Sequence, residues 1–168
     1  MPRHRLVINN RAGVRISSAW LQAILQEVAK KYGPKRATET SLAFVADSSM
    51  ANLNRIYHGE AGPTDVLSFS YLRHQPVQVG QPFFTGEVII APRRAARSAK
   101  RFGHSLQTEI GLLFMHGLLH VFEFDHEKGS REKQRMAKAE EALIKSIPGL
   151  KRANRTGGLI VRELVHPT

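Results

Sequence analysis

The chain has 168 residues, 42% of them hydrophobic, no cysteine, and a formal net charge of +11 at pH 7. Its length suits one domain with a core of its own, and its apolar share argues against a disordered chain. The missing thiols exclude a disulfide framework and any thiolate metal site, so a metal here must be held by His, Asp or Glu.

Twenty-five Lys and Arg face 14 Asp and Glu. Such a surplus either keeps the surface solvated or draws polyanions, of which nucleic acid is the commonest inside a cell. The opening stretch MPRHRLVINN lacks the apolar run of a signal peptide, and no stretch approaches the roughly 20 apolar residues of a membrane span. The expectation is a soluble cytoplasmic protein with no membrane partner.

In chain order, RLVINN (5–10) reads as a strand. Ser17 or Ser18 caps an amphipathic helix with Trp20, Leu21, Ile24, Leu25 and Val28 at helical spacing, ending near Gly33-Pro34. SLAFVAD (41–47) reads as a strand, and Ser48 or Ser49 then caps a helix carrying Met50, Leu53 and Ile56 that stops at Gly59. DVLSFSYL (65–72) is another strand, Arg73 to Thr85 an exposed loop, and GEVIIA (86–91) a largely apolar strand fit for the middle of a sheet.

Helices follow. Pro92 starts one whose Arg93, Arg94, Arg97, Lys100 and Arg101 form a dense basic block. Ser105 to Val121 is apolar on nearly all sides, the mark of a buried helix. Arg131 to Ile147 is amphipathic, with Met136, Ala139, Leu143 and Ile144 on one face, and Pro148-Gly149 ends it. The order of elements predicts a single α+β domain over residues 1–150, with a small mixed sheet packed by helices. Residues 151–168 form a basic tail.

The chemistry concentrates in HGLLHVFEFDH (116–126). His116 and His120 stand four apart on the buried helix, so both imidazoles can aim at one point. His126 can supply a third nitrogen if the helix ends just after His120 and the chain folds back. Burying unpartnered imidazoles would cost about 1–3 kcal/mol each, a cost that a shared metal relieves. Three imidazoles leave a fourth tetrahedral position for water, the arrangement of a catalytic zinc site. One Zn2+ per chain is therefore expected, although other imidazole-binding divalent ions fit the same donors. Asp125 is either a hydrogen-bond acceptor for a ligand histidine or a plain turn residue. Zinc proteases share the HxxxH spacing but carry a glutamate base directly after the first histidine, where this chain has Gly117.

These residues resemble the YbeY family of bacterial endoribonucleases, whose hallmark HGxLHLxGYDH is matched here by HGLLHVFEFDH. Two further blocks agree and occur in family order. LNRIYHG (53–59) with PTDVLSF (63–69) matches LNxxYRGxxxPTDVLSF, and GEVII (86–90) matches GDIxI. Met136 with Glu140 or Glu141 fits the helix after the site. The resemblance spans most of residues 40 to 145.

What it implies is a metal held by His116, His120 and His126, and cleavage of single-stranded RNA in ribosomal RNA maturation, notably at the 3′ end of the small-subunit RNA. Ribosome quality control is implied as well, with the ribosome or its small subunit as partner. His116 and His58 become the catalytic candidates. Arg55, His58 and the basic block become the RNA-contacting ones.

The chain departs from the family at two consequential places. Where the family has Arg, it has His58, which offers one donor per nitrogen and not a fixed charged fork; Arg55, one turn earlier, is a candidate to compensate. Where the family has Gly, it has Glu123, at a position expected to need a left-handed backbone, for which Glu costs roughly 1 kcal/mol. Phe124 replaces a tyrosine and loses one hydroxyl. Two other classes fit the composition: a non-catalytic RNA-binding or ribosome-binding module with a structural zinc, and a zinc hydrolase of another substrate.

Overall fold

The computed structural model describes residues 2–59, 62, 64–73, 76, 78–124 and 129–150. Four strands and five helices follow one another as β1 (His4–Asn10), α1 (Ser18–Tyr32), β2 (Thr38–Phe44), α2 (Asp47–His58), β3 (Val66–Ser70), β4 (Phe83–Ile90), α3 (Pro92–Phe102), α4 (Leu106–Val121) and α5 (Ser130–Ser146). The strands form one mixed sheet in the order β1-β2-β4-β3. β1 pairs parallel to β2 and β2 to β4, while β3 closes the edge antiparallel to β4. Each parallel pair needs a crossover, and α1 and the α2–β3 segment supply them.

Side-chain alternation sorts the core onto the two faces of the sheet. Leu42, Phe44, Val66, Val88 and Ile90 join the large cluster with α1, α4 and α5. Ala43, Leu67 and Ile89 join Met50 of α2 in a smaller one. α4 is buried from Thr108 to Val121, the central rod on which the larger layer is assembled. Leu150 is also fully buried in that layer, so the packed unit runs to residue 150; residues 151–168 lie outside the described residues.

Several boundaries differ from the sequence expectation. β2 runs 38–44 and not 41–47, because its parallel ladder on β1 begins at the His4↔Thr38 pair, where His4 Nδ1 and Thr38 Oγ1 are 2.7 Å apart. α2 accordingly starts at Asp47, with Ala46 as its N-cap and no side-chain cap, so neither Ser48 nor Ser49 does that work. Asp47 in the first turn complements the helix dipole instead. β4 begins at Phe83, inside the expected loop, because the Phe83 amide donates to Ala37 O and Phe84 stacks on Tyr71 at 5.5 Å. The ladder shifts register between Glu39 and Thr40, and there the Thr85 hydroxyl donates to Glu39 O and lies 2.6 Å from Thr40 Oγ1. Ser17 caps α1 as expected, accepting from the Trp20 amide, and Ser105 caps α4, accepting from the Thr108 amide.

Candidate metal centre

Helical geometry stacks His116 over His120, and the structure aims both Nε2 atoms at one point, 3.0 Å apart. Their rings meet edge-on at 4.6 Å, and the residues are only 2% and 5% exposed. Two imidazole nitrogens bound to one tetrahedral zinc at ordinary distances would stand about 3.3 Å apart, close to what is seen. The far side of His116 is also committed: its Nδ1 donates to Glu140 Oε1 of α5 at 2.5 Å. That bond fixes the ring and leaves the Nε2 lone pair facing His120, as an outer carboxylate does for a metal-bound histidine. The donor set therefore fits a divalent ion that favours imidazole. Among the described residues there is no group of three or more His, Cys, Asp or Glu that could hold a metal; His126, the expected third ligand, and Asp125 lie outside the described residues.

The chain leaves α4 through a Schellman closure. The Phe124 amide donates to Leu119 O at 2.8 Å and the Glu123 amide to His120 O at 2.9 Å. Glu123 has φ 72, the left-handed value expected at this position. Phe124 then buries its ring in the main core, edge-on to Tyr32 at 5.2 Å. Glu123 is gripped by Arg73, whose Nε and Nη2 donate to its two carboxylate oxygens at 2.5 and 3.2 Å.

α4 can lie close to the sheet because of Gly117. A Cβ there would meet Val88 Cγ1 at 2.7 Å and Ser68 Oγ at 2.9 Å. Edge strand β3 touches both α4 and α2: Ser68 faces Gly117, while the Phe69 ring meets that of Tyr57 edge-on at 5.0 Å. His58 is half-buried in the last turn of α2. Arg55 is exposed and donates to Asn52 Oδ1 at 2.7 Å. On β4, burial pushes the Glu87 carboxyl above its ordinary range.

The basic block divides. Arg94 Nε donates to Asp65 Oδ1 at 3.1 Å and the Ser98 hydroxyl to Asp65 Oδ2 at 2.9 Å, so a buried carboxylate anchors α3 to the start of β3. Arg97 reaches Asp47 at 3.5 Å, and the Arg101 guanidinium lies over the Phe102 ring at 4.9 Å. Arg93, Arg97, Lys100 and Arg101 are exposed, and a cleft of about 220 Å3 opens between Asp65, Arg94, Arg97, Ser98 and Arg101. The sequence reading assigned no partner to either Glu140 or Asp65, two buried carboxylates. A signal for Glu140 was present, since it falls on the apolar face formed by Met136, Ala139, Leu143 and Ile144. A carboxylate on a buried face needs a partner.

An α+β domain whose central helix buries two histidines with converging nitrogens could carry a histidine metal centre. Comparison with known proteins narrows the class. The family model for endoribonuclease YbeY matches residues 8–148. An endoribonuclease YbeY of Pelotomaculum thermopropionicum is 38% identical over 143 residues, covering 83% of this chain and 93% of that one. Another, of Picosynechococcus sp., is 40% identical over 114 residues, covering 66% and 70%. The solution structure of TM1509 from Thermotoga maritima shares the fold, with a TM-score of 0.51 at 21% identity, covering 92% of this chain and 99% of that one. The chain belongs to the endoribonuclease YbeY family.

Proposed function

We propose that this chain is a zinc-dependent endoribonuclease that cuts single-stranded RNA, with residues 1–150 as its catalytic unit. The observation that carries the reading is the buried His116–His120 pair, its Nε2 atoms 3.0 Å apart and its outer nitrogen held by Glu140. His116, His120 and His126 would hold the metal. When bound, the ion would supply positive charge and Lewis acidity at a phosphodiester and lower the pKa of water.

The chain's own residues do the rest. Glu140 keeps the His116 proton on Nδ1. His58 is the candidate to donate to a phosphate oxygen or shuttle a proton, and Arg55 the neighbouring phosphate contact. Exposed Arg93, Arg97, Lys100 and Arg101 provide an electrostatic track for the strand. Asp125 remains the candidate acceptor for a second ligand histidine. The substrate we propose is ribosomal RNA, cut at the 3′ end of the small-subunit RNA in the cytoplasm, with a part in ribosome quality control and the ribosome or its small subunit as partner.

The test is elemental analysis of the purified protein together with an assay on single-stranded RNA, beside a His116→Ala, His120→Ala double variant. Near-stoichiometric zinc and cutting that the variant loses are expected. A 2′,3′-cyclic phosphate on the products would identify the RNA's own 2′-hydroxyl as nucleophile; a 5′-phosphate with a free 3′-hydroxyl would identify water. Zinc and RNA binding without cutting would make the chain a binding module, and failure to take up any metal would overturn the reading.

A further inference from the structure

The turn that carries the chain out of α4 is left-handed at a residue that disfavours that conformation. Among the described residues Glu123 is the one non-glycine with a positive φ. A side chain there crowds the backbone in a way that glycine does not.

Two ties fasten this turn to the chain leaving β3. The Ser70 hydroxyl donates to Val121 O at 2.8 Å. Three residues on, the Arg73 guanidinium engages both oxygens of Glu123. A planar fork against a carboxylate fixes orientation as well as distance. The hydrogen bonds to Glu123 also raise the Arg73 pKa above its ordinary value. Arg73 is largely exposed, its side chain 72% accessible, so the pair adds little to the stability of the whole domain. Its effect is local, on a turn that begins three residues after His120.

We propose that Arg73 is a positioning residue for the metal centre: by gripping Glu123, whose amide donates to His120 O, it holds the left-handed turn in place and so fixes the end of α4 that carries His120. The proposal rests on the metal reading above. It explains how this chain accommodates a glutamate at a place suited to glycine. With glycine there, no clamp would be needed.

The test is a double-mutant cycle read as Zn2+ affinity, by competition with a chromogenic chelator on the full chain. Arg73→Ala should weaken zinc binding about three- to fivefold, the size of effect a solvent-facing but bidentate pair can exert. Arg73→Lys, which keeps the charge and loses the fork, should recover part of that loss. In a Glu123→Gly background, Arg73→Ala should change nothing. The thermal midpoint of the metal-free protein should be nearly the same for Arg73→Ala and the parent, which a merely structural role would not allow. Parent-like zinc affinity in Arg73→Ala, or an equal loss in the glycine background, would overturn the clamp while leaving the metal centre intact. If the parent takes up no zinc, the metal reading falls and the clamp falls with it.

Discussion

At the scale of single residues, the proposed metal centre would depend on a carboxylate that is not itself a ligand. Glu140 is 4% exposed and His116 2%, so their hydrogen bond is made where water cannot substitute for either partner. Replacing Glu140 by alanine should weaken zinc binding about 10- to 100-fold, the usual cost of losing an outer partner of a ligand histidine. Glu140→Gln should fall between the two, because an amide oxygen still accepts from Nδ1 but carries no charge. Chelator competition on the three proteins decides the matter: equal affinities would mean that His116 is oriented by its packing alone.

Asp65 makes the complementary point about charged residues in motifs. It stands in the PTDVLSF block, where a carboxylate invites a catalytic role, yet its oxygens are spent on Arg94 and Ser98. The same pair removes Arg94 from the free basic surface.

At the scale of elements, α4 fits its place because two of its residues have no side chain. A Cβ on Gly111 would meet Trp20 Cη2 at 2.5 Å, and one on Gly117 would meet Val88 at 2.7 Å. Both neighbours are wedged, Trp20 partly by its Nε1–H bond to Pro148 O at 2.7 Å. Gly117→Ala should therefore destabilise the domain by about 1–3 kcal/mol, the cost of overpacking a filled interior, in spite of alanine's better helix propensity. Urea denaturation would show it; a variant as stable as the parent would mean that β3 and β4 can yield.

The helices were the most legible elements, since Ser17, Ser105, Pro92 and the apolar run 106–121 announce their ends or their burial locally. Strand limits were less so. Thr38 and Phe83 become strand residues through partners 34 and 45 positions away, His4 and Thr38 respectively, and no local pattern records such pairings. The histidine pair was readable because helical periodicity is a local rule, and the left-handed Glu123 because the resembled family carries glycine at that position. Glu140's partnership required knowing that α5 docks on α4.

At the scale of the whole molecule, α3 carries exposed Arg93, Arg97, Lys100 and Arg101, the surface proposed for a polyanion. If Arg93, Arg97 and Lys100 each neutralise a phosphate, replacing all three by glutamine should flatten the dependence of log affinity on log salt by about 2, at roughly 0.7 per contact for a single strand. Fluorescence anisotropy with a labelled single-stranded RNA from low to moderate salt would measure it. An unchanged slope would put the strand on another face. Arg94→Gln should instead lower stability, because it strips the partner from buried Asp65.

The close seating of Gly117 also bears on the history open to this domain. A zinc protease of the HExxH type places its base at that position, and the change from glycine to glutamate is a single step in sequence. Here that step drives a Cβ into Val88 and Ser68. The same contact that lets the helix lie on the sheet thus bars a short mutational path between two hydrolytic chemistries, and any lineage crossing it would have to rebuild the sheet first.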